Sequence, residues 1–188
     1  MSDLDELVAV GESAPANGLM HVVAHVWPLA ADDAGIWLLS GGGPWQSLPV
    51  PADSEPHEAA ELELMTHQAL AETVVLHSSG WLIEGNAVVT TYFAIVDCPG
   101  EPAKAHWPQA EPVSPGLARL MGPPPTHGAT EAPAPPFWHV LQHAVRHVAY
   151  LRDRDATVAA KLTPAWRRHL AEWQPEIARM YDRVHAEA

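Results

Sequence analysis

A change of hydrophobic period divides this chain and limits what it can fold into. From residue 20 to 97 the apolar residues fall into short runs that alternate or are rich in β-branched side chains. From residue 137 to 184 they recur three and four positions apart. Between the two lies Cys98–Pro136 with eleven prolines, which lock φ and remove backbone donors. Period two predicts strands, period 3.6 predicts helices, and the proline-rich stretch predicts a partly extended connection. With 47% hydrophobic residues in 188, the chain has enough apolar surface to build a packed core.

The first regime resolves into elements. Met20 to Leu29 alternates Val22, Ala24 and Val26 against Val23, His25 and Trp27, and reads as a strand. Ala31–Gly35 reads as a turn and Ile36–Leu39 as the hairpin partner of that strand. Trp45 to Val50 is short and extended, because Pro49 and Pro51 forbid a helix. A helix then runs to Leu70: Asp53 or Ser54 can cap it and Pro56 suits its first turn. Its expected apolar stripe is Ala59, Leu62, Ala69 and Leu70, with Ala60 and Met65 beside it. Thr73–Leu76 and Trp81–Ile83 read as two strands, Glu84-Gly85-Asn86 as a tight turn, and Ala87–Val96 as the longest strand.

The expected organisation is a tail over 1–18, an α/β domain over 19–98, a linker over 99–136 with a helical turn at Leu117–Met121, and a helical module over 137–188. In that module Asp155 can cap a short helix and Thr163-Pro164 starts another. Trp166, Leu170, Trp173, Ile177, Met180 and Val184 form a heptad-like seam that either packs on the first domain or makes a homodimer or a protein contact.

Charge is distributed unevenly. Residues 1–103 contain no Lys or Arg and carry −15, whereas the remainder carries +2, for a net charge of −13. This argues against nucleic acid or an anionic membrane as partner. Intramolecular attraction between the halves is the simplest use of the asymmetry, and an acidic face for metal or a cationic partner is the other. No apolar run reaches the length of a membrane helix, the start lacks the basic residues of a secretory signal, and Cys98 is the sole cysteine. A cytoplasmic location is the resulting expectation. Few lysines beside many Ala, Pro, Trp and His suggest a high-GC bacterial genome or its phage.

The stretch from Trp45 to Leu70 carries the one family signal. Leu48-Pro49, then Glu55-Pro56-His57-Glu58-Ala59-Ala60, then Leu62-Glu63-Leu64-Met65-Thr66-His67, follow the order of a strand end, a loop and a metal-binding helix. This order resembles the Nudix hydrolase family over residues 20–97. The resemblance implies an α/β/α sandwich around a mixed sheet, with helical glutamates that hold divalent metal at the diphosphate of a nucleoside diphosphate derivative. The departures are substantial. Leu62 stands where the family has arginine, Thr66-His67 where it has a Glu-Glu pair, Ala69 where it has glycine, and Val50-Pro51 where glycines follow the proline. Ser54 falls near the first family glutamate, with Glu55 adjacent.

Glu63 is therefore the one cleanly retained ligand and the candidate catalytic residue. Glu58, Glu63 and His67 are the candidate set for Mg²⁺, Mn²⁺ or Zn²⁺, and a solvated helix face is the simpler reading of the same residues. Trp45 and Trp81 are candidates for stacking a nucleotide base, and core packing is again simpler. The expectation is a Nudix-fold protein with an eroded metal site that binds a nucleotide-type ligand or serves as an interaction module. The alternatives are a divergent metal-dependent pyrophosphohydrolase and an assembly protein acting through 137–188. His139, His143 and His147, four apart, suggest a solvated or interdomain face, a metal site needing further ligands, or a pH-sensitive contact with the acidic half. There is no Gly-Lys-Ser/Thr phosphate loop and no Gly-x-Ser-x-Gly elbow.

Overall fold

The structure, a computed structural model, describes residues 21–98, 102–115 and 137–176. The alternating run forms β1 (His21–Ala31), which is the centre of a 7-stranded mixed sheet. On one side it pairs in parallel with β6 (Ala87–Val96), in register from His21↔Ala87 to Leu29↔Ile95. On the other side three short antiparallel segments share its edge: β2 (Ile36–Leu38), β3 (Trp45–Gln46) and β4 (Val50–Pro51). The glycines and prolines that interrupt this stretch break one long partner strand into three.

The two strands expected over 73–83 are one, β5 (Thr73–Glu84), with a register shift between Ser78 and Gly80. A bulge absorbs the polar Ser78-Ser79-Gly80 step that looked like a break in the sequence. The turn to β6 is tight, and Gly85 takes φ +61 there.

The proline-rich stretch also contributes regular structure. It holds a helical turn, α2 (Ala103–His106), and an edge strand, β7 (Glu111–Val113), which pairs with β2. Pro112 is tolerated because β7 has no neighbour beyond it among the described strands. Leu117–Met121 and the tail over 1–18 lie outside the described residues.

Helices cover both faces of the sheet, which makes the fold α/β. On one face Trp27 and Leu29 of β1, Phe93 and Ile95 of β6, and Val75 of β5 pack against α3 (Phe137–Arg154), α4 (Ala156–Lys161) and α5 (Pro164–Leu170). The starts of the last two helices match their sequence signals. Asp155 accepts from the N–H groups of Thr157 and Val158, and Thr163 accepts from Trp166 ahead of Pro164. Trp166, Leu170 and Trp173 of the seam are buried in this core, while Ile177, Met180 and Val184 lie outside the described residues.

The opposite face is covered by α1 (Pro56–Thr66). Its N-cap is Glu55 with no side-chain cap bond, rather than Asp53 or Ser54. Its buried residues are Ala59, Ala60 and Leu64, and Leu62 and Met65 are exposed. This differs from the expected stripe because the helix ends a turn early, so Ala69 and Leu70 cannot extend a face through Leu62. The small side chains at 59 and 60 then lie against the sheet, beside Ala24, Ala30 and Ala94.

The charge asymmetry has a structural outlet. Arg168 of α5 reaches Asp33 at 3.0 Å, and His169 Nε2 lies 2.9 Å from the Asp32 carbonyl oxygen. The basic end of the chain thus touches the acidic β1–β2 turn.

Candidate functional site

The C-terminal end of α1 fixes the candidate site. Gln68 takes φ +56, its N–H donates to Met65 O, and the Ala69 N–H donates to Leu64 O. This pair of bonds is a Schellman closure, with buried Leu64 and Ala69 in one cluster beneath it. The closure holds His67 over the sheet. Its ring stacks on Trp45 of β3 with centroids 4.0 Å apart and planes 8° from parallel. Its Nε2 lies 3.0 Å from Glu63 Oε1, one helical turn back.

Trp45, His67 and Glu63 therefore form a closed stack-and-pair. The Glu63 side chain is only 12% exposed, so it sits at the buried border of α1 rather than on a solvated face. Glu58 is exposed in the first turn of α1, five positions from Glu63 and so on another side of the helix. His57 pairs with Glu61 at 3.5 Å and lies near the Tyr92 ring at 5.8 Å. Burial, then the charge of Glu55, raises the Tyr92 pKa. Among the described residues no group of three or more His, Cys, Asp or Glu side chains comes together in a way that could hold a metal ion.

The arginine and glutamate positions implied by the resemblance are occupied in other ways. Leu62 points to solvent, and the Thr66 hydroxyl donates to the Leu62 carbonyl. Chemically, the cluster offers one carboxylate polarising one imidazole, with an indole behind it.

Trp45 and Trp81 do not form one wall. Trp45 is buried under His67, whereas Trp81 is 70% exposed on β5. Between β3 and β5 lie β1 and β6, so the strands that carry the two indoles lie about 14 Å apart. Ile83 is exposed beside Trp81, two residues along the same strand.

A separate cleft of about 510 Å³ opens where the parallel strands β1 and β6 both end. Asp32, Asp33, Asp97, Cys98 and Thr163 line it. Burial alone would raise the Asp32 pKa. The Trp37 side chain and the backbone N–H groups of Ala103, Ala34 and Gly35 outweigh that and hold it below its ordinary value. Burial pushes the Cys98 thiol up to about 11, helped by Asp97, Asp32 and Glu72. The thiol is thus protonated and weakly nucleophilic at neutral pH. Sequence reasoning missed this cleft, because its walls come from three distant segments.

Of the α3 histidines, His143 and His147 are turned away from solvent, and no ion pair with an acidic side chain of the sheet is found for either among the described residues. His147 is 7% exposed against the sheet, and His143 is half-buried one turn before it. The side chain of His139 lies outside the described residues. His77 of β5 joins them, with its ring 5.0 Å from that of His147. Its sequence signal was its phase in β5: His77 shares the inner face with Val75 and lies opposite Phe93.

No family model matches the chain, and no curated protein matches it.

Proposed function

We propose that this protein is an interaction module built on a Nudix-like α/β/α fold, without robust hydrolysis of diphosphates. The support for the fold reading is the order of elements: an extended Trp45–Pro51 stretch beside β1, then α1 across one sheet face, with helices on the other. The observation that carries the functional reading is the Trp45–His67–Glu63 closure. The carboxylate that would hold metal in an active relative is paired with an imidazole, and among the described residues no group of three or more His, Cys, Asp or Glu side chains forms that could hold a metal ion. One carboxylate binds Mg²⁺ weakly.

The same closure fills the face of Trp45, which disfavours a base-stacking pocket there. Exposed Trp81 and Ile83 on the outer strand β5 favour contact with a protein instead. The assembly reading through 137–188 loses support, because Trp166, Leu170 and Trp173 are used in the protein's own core.

The test is a hydrolysis screen over nucleoside diphosphate derivatives with Mg²⁺, Mn²⁺ and Zn²⁺, together with calorimetry of each metal. The expected result is no turnover and no stoichiometric metal binding. Turnover that disappears in Glu63→Gln would overturn the proposal in favour of a divergent hydrolase using Glu58, Glu63 and His67. Saturable nucleotide binding without turnover would replace the protein partner with a nucleotide-type ligand.

A further inference from the structure

Three imidazoles meet where the helical layer rests on the sheet. His147 projects from α3 onto the inner face, where its ring lies 5.0 Å from His77 of β5, 5.7 Å from Phe93 of β6, 6.3 Å from His143 and 6.2 Å from Tyr150. Such ring-on-ring packing suits neutral imidazole. Nδ1 of His143, Nδ1 of His147 and Nε2 of the buried Gln142 find no hydrogen-bond partner. A structural core would fill this space with aliphatic side chains, since unpaired polar atoms are costly to bury. Aliphatic residues do fill the rest of this interface, with Leu141, Val145 and Val148 on α3.

We propose that the His77–His143–His147 cluster is an acid-sensitive clasp, which holds α3, and with it α4 and α5, on the sheet only while its imidazoles are neutral.

The charges around the cluster support this. Asp155, ahead of α4, acts on His77, and Glu176 acts on His143, each favouring the cation. Arg146 opposes the cation on His143. No carboxylate is among the groups that act on His147, which is influenced by His77 and His143, both disfavouring its charge. Protonation therefore places like charges about 5 Å apart with too few counter-charges.

Burial lowers the pKa of all three, and takes His147, with the repulsion from His77 and His143, to about 4. The sign follows. An unfolded or detached His147 binds its proton below about 6.5 and the packed one only below about 4. The clasp is at full strength above pH 6.5 and weakens as pH falls from there towards 4. Between those limits the detached layer gains protons that the packed layer cannot hold. Release would expose Trp27, Phe93 and Trp166, an apolar surface hidden at neutral pH.

The test is hydrogen–deuterium exchange of the full chain at pH 7.5 and pH 5.0, corrected for the intrinsic pH dependence of exchange. Peptides from α3 and α5 should lose protection at least tenfold at pH 5.0 and regain it on return to pH 7.5. Peptides from α1 should keep theirs. His147→Gln should reduce that ratio to less than threefold. His77→Gln, at a half-buried strand position, should shrink it in the same direction and serves if His147→Gln does not fold. Unchanged protection of α3 at pH 5.0 would sink the proposal. So would a loss shared equally by α1 and the whole sheet, or a pH response that survives whichever of the two variants folds.

Discussion

Leu64→Ala tests how α1 is held on the sheet. Leu64 is fully buried, and eight of the fourteen buried residues in its cluster are alanines: Ala24, Ala30, Ala59, Ala60, Ala69, Ala94, Ala103 and Ala110. Alanine has no rotamer with which to close a hole. The space left by the leucine should therefore stay open, which places the cost towards the upper part of the usual range for such substitutions, about 3–5 kcal/mol. Leu64 O also accepts the Ala69 N–H, so the hole lies directly under the Schellman closure that positions His67. For a chain of this size each kcal/mol lowers Tm by roughly 2–4 °C, and the substitution should cost on the order of 10 °C or more. The assay is urea and thermal unfolding followed by far-UV circular dichroism, with Leu64→Met as control. Methionine preserves volume and should cost less than about 1.5 kcal/mol. A loss below about 1.5 kcal/mol for Leu64→Ala would refute the argument, because it would mean that the alanine-rich layer collapses to fill the gap.

Two further outcomes are expected. Gly41→Ala should destabilise the protein by more than about 1 kcal/mol in the same unfolding assay, because Gly41 takes φ +61 and a Cβ there would lie 2.9 Å from the Gln109 carbonyl oxygen. The Cys98 thiol, raised from 9.0 to about 11, should react with a thiol-directed disulfide reagent at pH 8 roughly tenfold more slowly than after denaturation, because its smaller thiolate fraction outweighs the greater nucleophilicity of a more basic thiolate, and equal rates would contradict its placement.

The elements governed by local rules were legible in the sequence. β1, β6, the turn at Gly85 and the Asp155 and Thr163 caps follow from alternation, β-branching and side-chain donors close in the chain. What the sequence hid was decided at a distance. The facing of α1 depends on where Gln68 ends it, and on the alanines of β1 and β6 that receive it. β7 owes its strand to pairing with Ile36–Leu38, some seventy-five positions earlier, and nothing in Glu111-Pro112-Val113 itself announces one. At the candidate site, the spacing of Glu63 and His67 was visible, and their shared face with it. That Trp45 would close over His67 was not, because stacking depends on β3 lying beside β1. For the histidines of α3 the sequence leaves open an outward or interdomain face, a metal site and a pH-sensitive contact; that His147 lies against the sheet beside His77 depends on how α3 and β5 are brought together.

The outer strand β5 has a consequence for how copies of this protein treat one another. It is 12 residues long, pairs with β6 alone among the described strands, and contains no lysine, arginine or proline to discourage pairing with another chain. Trp81 and Ile83 stand exposed at its far end. The strand belongs to the half of the sequence that carries −15, so two such edges repel one another before their backbones meet. Protection of this kind is a long-range field rather than a local block, and it fades as salt shortens the Debye length to a few ångströms. The expected consequence is that self-association, followed by light scattering, is suppressed in dilute buffer and rises with ionic strength.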